Sequence, residues 1–181
     1  MMNFSNNQII TASDNNLIEA IQNTGMIDTL VSTHDRRTWE QRLTALRTDM
    51  FQLSPDQQLS QTINTCLRAE YAQVINRLAE TLNCQSTADL DAVITRLRAW
   101  IELMQVVSMV TAIDLNREHW LRIRDWLSHH IGQTVLIDPH QNPSLGAGAI
   151  VYWQGHQFVG TVLDYQTFKQ TSTALKYTSI N

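Results

Sequence analysis

Histidine, aspartate, serine and tryptophan gather in the C-terminal half: His119, Trp120, Asp125, Trp126, His129, His130, His140, Ser144, Trp153 and His156. Such residue types serve as metal ligands, acid–base groups or a nucleophile. Their spacing argues against each use. On a helix, His119 and His130 lie about three turns apart, too far to share one ion. His129 and His130 are adjacent and diverge by about 100°. Asp125 and His129 stand i,i+4 and can meet on one face, but two groups do not close a metal site. Ser144 lacks the strand–turn–helix context of a nucleophile, and no base is placed beside it. His156 sits at an expected hairpin tip, where exposure is the default. Cys66 and Cys84 make neither a disulfide framework nor a zinc site, and Cys66 falls on an apolar stripe as a packed thiol. No P-loop, GxGxxG, GxSxG or HExxH occurs. The expectation is no catalytic residue, no cofactor and no metal. A small-molecule-binding or hydrolytic domain built on the His/Trp-rich half stands as an alternative.

The elements that position these residues differ between the two halves. Of six glycines only Gly25 lies outside the stretch from Gly132 to Gly160. Residues 1–13 are Asn-rich and polar and are expected to form a flexible tail. Residues 14–105 predict a helical bundle. A short helix runs from about Asp14 to Asn23. A second carries Trp39, Leu43, Leu46, Met50 and Leu53 at spacings of three and four. Ser54-Pro55-Asp56-Gln57 is a helix start with a capping box. The stripe Leu59, Ile63, Cys66, Leu67, Val74, Leu78, Leu82 follows as one run, broken at Asn83–Ser86. Ser86-x-x-Asp89 restarts a third stripe: Leu90, Val93, Ile94, Leu97, Trp100, Ile101, Met104.

From 106 the period changes. Val106–Ile113 is β-branched and predicts a strand. Asn116 caps a helix through about His130, with Trp120, Ile123 and Leu127 on its apolar face, and Gly132 ends it. Thr134–Ile137 predicts a second strand and Asp138–Pro143 a loop. Ala149–Trp153 and Gln157–Val162 predict a hairpin about Gln154-Gly155-His156. A closing helix spans about Asp164–Leu175. The fold class is α+β: an N-terminal helical bundle, then a small β-α-β-β-α domain over 106–181.

Charge and hydropathy narrow the function classes. The chain of 181 residues has 13 basic and 17 acidic residues, a net charge of −4, which argues against a nucleic-acid surface. Residues 1–105 carry all the excess acid, with eight Arg against 12 acids. No apolar run reaches the roughly 20 residues of a spanning helix, so no direct membrane insertion is expected. No secretory signal is evident.

Two segments carry a family resemblance. Val110-Thr111-Ala112-Ile113-Asp114-Leu115 is similar to the strand end of the delta subunit of F-type ATP synthase, whose mitochondrial counterpart is the oligomycin sensitivity-conferring protein. Asp114 stands where proline is usual. Asn142-Pro143-Ser144-Leu145-Gly146-Ala147-Gly148 is similar to that family's D-P-S-L-I-G-G turn, with Asn142 for Asp. Gly155 and Gly160-Thr161-Val162 resemble its hairpin, with Val159 in place of the usual acid. The resemblance covers about 106–165, and the family's N-terminal R-Y-A opening is not found. It implies structural roles for Thr111, Ala112, Leu115, Pro143, Ser144, Leu145 and Gly148. It also implies a non-catalytic stator subunit that links the catalytic head to the peripheral stalk. The alpha and b subunits would be its partners, on the cytoplasmic face of a membrane complex. A stator-like regulator of a flagellar or type III secretion ATPase is the nearest alternative; it would carry an extended N-terminal coiled coil.

Overall fold

A computed structural model describes residues 12–50, 52, 59–146 and 148–160. The expected tail up to residue 11, the Ser54–Gln57 capping box, Leu53 and the closing helix at 164–175 lie outside the described residues. The architecture is α+β, with helices N-terminal and a four-stranded mixed sheet C-terminal. The chain divides into two compact units. Among the described residues one holds 12–30 with His34–Met104, and the other holds Val31–Thr33 with 105–160.

The helical unit comprises α1 (Ala12–Asn23), α2 (Met26–Thr29), α3 (Thr33–Met50, from His34 onward), α4 (Leu59–Cys66), α5 (Ala69–Thr81) and α6 (Thr87–Leu103). Trp39, Leu43, Leu46 and Met50 of α3 are buried, as the three-and-four spacing predicts. Trp39 is 1% exposed, and its indole N–H donates to Thr29 Oγ1 at 2.8 Å, which satisfies the one polar atom of a buried ring. The Tyr71 ring meets it edge-on at 4.8 Å. Asp91 of α6 takes both Nε (2.6 Å) and Nη2 (3.1 Å) of Arg47 on α3.

The expected continuous stripe from Leu59 to Leu82 is two helices. Leu67 closes α4, with its N–H on the Ile63 carbonyl, and Arg68 turns extended (φ −62°, ψ 152°). The second helix buries Ala72, Ile75 and Ala79 as well as Val74 and Leu78. That face is wider than the stripe read from the large residues alone. Cys66, expected in the core, is half-buried at the end of α4. The short α2 has no counterpart among the expected elements. It follows Gly25, whose φ of +74° sets the left-handed turn out of α1.

The capping box of α6 forms as its sequence predicts. Ser86 Oγ accepts from the Asp89 N–H, and Asp89 Oδ2 accepts from the Ser86 N–H at 2.9 Å and the Gln85 N–H at 3.1 Å. The helix then buries Leu90, Val93, Ile94, Leu97 and Ile101, whereas Trp100 is half-buried.

In the second unit the sheet runs β2-β1-β3-β4, with β1 (Gln105–Thr111), β2 (Val135–Gln141), β3 (Ala149–Trp153) and β4 (His156–Gly160). The β1–β2 pair is parallel, and the other two pairs are antiparallel. A parallel pair needs a crossover, which α7 (Arg117–Ile131) supplies. Asn116 caps it through the His119 N–H, and Gly132 ends it at φ +81°. Ser128 then organises the exit. Its carbonyl accepts from the N–H groups of Gly132 and Gln133, and its hydroxyl oxygen accepts from the Val135 N–H that opens β2. The helix lies over Val107, Val135 and Ile137, with Met109, Val151 and Trp153 beside them.

Three expectations for this unit are corrected. Asp138–Gln141, expected as a loop around a proline, continues β2 to Gln141. Pro139 is tolerated because it lies two residues after Ile137, whose N–H points to the outer edge and donates to the Val31 carbonyl at 3.0 Å. The proline nitrogen therefore faces away from β1 and costs no ladder bond. β1 stops at Thr111, leaving Ile113 63% exposed. The hairpin turn is Gln154-Gly155 alone (φ +48° and +79°), so His156 opens β4. The Val31–Thr33 segment also joins the sheet edge, which no pattern in its sequence announces. Ser32 bridges Ile137 in parallel, and Thr33 Oγ1 donates to Asp138 Oδ1 at 2.9 Å.

Two outcomes follow. A Cβ at Gly132 meets nothing within 4 Å, so Gly132→Ala carries only the left-handed backbone penalty. It should lower the unfolding free energy by about 1 kcal/mol in urea titrations, with Gly132→Asn losing less. The Asp89 carboxyl is held below its ordinary 3.8 by the Ser86 hydroxyl, then by the Gln85 and Ser86 N–H groups. A depressed folded value stabilises above the unfolded one and is lost as pH falls through it. The stability gap between wild type and Asp89→Asn should therefore hold near neutrality and narrow below pH 3.8. Urea midpoints measured across that range would check it.

Candidate functional site

The two segments behind the family resemblance meet. Thr111, at the end of β1, is 5% exposed, and its hydroxyl donates to the Ile113 carbonyl at 2.7 Å. The His140 carbonyl stands 3.5 Å from the same hydroxyl. The Asn142 N–H donates to the Thr111 carbonyl at 2.8 Å, tying the start of the turn to the strand end. Asn142 Oδ1 accepts from the Ser144 N–H at 3.1 Å, an Asx turn that starts a single 3₁₀ turn over Pro143–Leu145. Pro143 at its first position has no amide to lose. Gly146 (φ +68°) and Gly148 (φ +112°) then carry the chain into β3 through backbone that side chains rarely adopt.

The remaining site residues frame this corner. Ala112 is buried beside Thr111, and Leu115 is half-buried ahead of the α7 cap. Pro143 and Ser144 are exposed, while Leu145 and Gly148 are half-buried. The corner is a joint between two strand ends with a small polar surface.

The titratable residues are dispersed. His119 Nδ1 lies 2.6 Å from Asn116 Oδ1, at the helix cap. Asp125 does not pair with His129. It accepts from Arg124, whose Nε is 2.9 Å away and whose Nη2 also reaches Oδ1. Arg124 is 1% exposed, and the sequence offered no signal for burying it beside the Trp120, Ile123, Leu127 face. A buried guanidinium needs a compensating charge, and Asp125, 56% exposed, supplies one from the next position. His130 lies along Trp126, with ring centroids 4.1 Å apart and Nδ1 2.7 Å from the Trp126 carbonyl. His129 meets the His130 ring edge-on at 5.5 Å. His140 pairs with Asp138 at 2.9 Å on β2, and the His156 ring sits 6.3 Å from that of Phe158. Among the described residues no three His, Cys, Asp or Glu side chains come together as metal ligands.

The cysteines belong to the helical unit. Burial, then the Asp49 carboxylate, pushes the Cys66 thiol up. Burial, then Asp89, does the same to Cys84. Raised values keep both as thiols at neutral pH, the reverse of an activated nucleophile. A hollow of ≈ 470 Å³ along α3, lined by Arg37, Glu40, Gln41, Thr44 and Ala45, contains none of the residues singled out from the sequence.

No protein-family model matches the chain, and comparison with curated proteins finds no match.

The corner makes a direct prediction. Thr111→Val keeps the shape and removes the hydroxyl, leaving the Ile113 carbonyl without that donor. The loss should be about 1 kcal/mol, with Thr111→Ser retaining part of it. Urea unfolding followed by Trp fluorescence, which reports on Trp120, Trp126 and Trp153 in this unit, would measure both.

Proposed function

We propose that the chain is a non-catalytic connector, a stator-type subunit resembling ATP synthase delta that links a catalytic head to its peripheral stalk. The observation that carries the reading is the Thr111–Asn142 contact. The two segments similar to the family's motifs lie 31 positions apart in sequence and close one corner through a 2.8 Å hydrogen bond. A stator needs a stiff body and a broad interface, typically more than about 1,200 Å², and asks nothing of a nucleophile or base. The order of a helical unit before a small mixed sheet supports the same reading. So does the compactness of the helical unit, since the secretion-type alternative calls for an extended arm. Among the described residues no helix is long and apolar enough to cross a membrane. A connector of this kind sits at the cytoplasmic face of its complex, held there by alpha and b subunits rather than by lipid. The excess acid of residues 1–105 suits basic segments on such partners.

Affinity capture of the tagged chain from native membranes, solubilised in mild detergent, tests it. Co-recovery of alpha and b subunits in fixed ratio is the expected result. Stable recovery of the chain without either overturns it.

A further inference from the structure

We draw no further inference here: the strongest candidate, the surface patch that Tyr152 and Val159 expose on β3 and β4, on the sheet face opposite α7, carries nothing because nothing among the described residues shows what covers it.

Discussion

The parallel register of β1 against β2 is the constraint from which the C-terminal unit follows. Two parallel neighbours cannot be joined by a tight turn, so the chain must leave the sheet, cross one face and return. α7 is that crossing, and its length, caps and apolar face all serve it. Asn116 starts the helix soon after β1 ends, and Gly132 stops it where β2 must begin. Ser128 then offers both its carbonyl and its hydroxyl oxygen to the residues that make the turn. The side chains that α7 covers, Val107, Val135 and Ile137, come from the two strands it connects. The same element therefore sets the register and supplies the burial that holds it. β1 is then free to take β3 on its other side, and the hairpin to β4 needs only Gln154 and Gly155 at positive φ.

Local signals made much of this legible in the sequence. Ser86, Asp89, Asn116 and Gly132 act within a few residues of themselves, and the caps they predict are the caps observed. The stripes of α3 and α6 are legible for a related reason: large apolar side chains at spacings of three and four have few alternatives to a buried helical face. Illegible features depend on distant partners. Pro139 is a strand residue only because the outer edge of β2 is where its missing amide falls, and a proline among polar residues otherwise marks a loop. The wider face of α5 is hidden because part of it is alanine, Ala72 and Ala79, which carries little periodic signal. Val31–Thr33 joins a strand more than a hundred positions away, which no local pattern announces.

The corner at Thr111 and Asn142 was legible as two motifs and not as one place. Each segment reads alone as a strand end or a turn. Their contact is a backbone hydrogen bond, so it leaves no trace in side-chain type. The histidines show the converse. Their types invited chemistry, yet His119, His130, His140 and His156 meet local partners (Asn116, Trp126, Asp138 and Phe158), and among the described residues His129 meets only the ring of His130. Asp125 serves the buried Arg124 instead of His129. Pairing a buried guanidinium takes precedence over an exposed i,i+4 pair, because exposed pairs contribute little and an uncompensated buried charge costs several kcal/mol.

The two edges of the sheet meet one problem in different ways. An edge strand presents unpaired N–H and C=O groups and invites another strand. At β2 the chain answers with its own backbone: the Val31 carbonyl takes the Ile137 amide, and Thr33 secures Asp138 one residue further on. Beyond that point Pro139 has no amide to offer, so the outer edge is blunted for the next residue of the same parity. At β4 no such device stands among the described residues, and in the hairpin register Gln157 and Val159 direct their backbone groups outward. Shortness is the protection there, since five residues leave only those two positions able to pair. Val159 thus carries an exposed apolar side chain on an edge strand that, among the described residues, no further strand pairs.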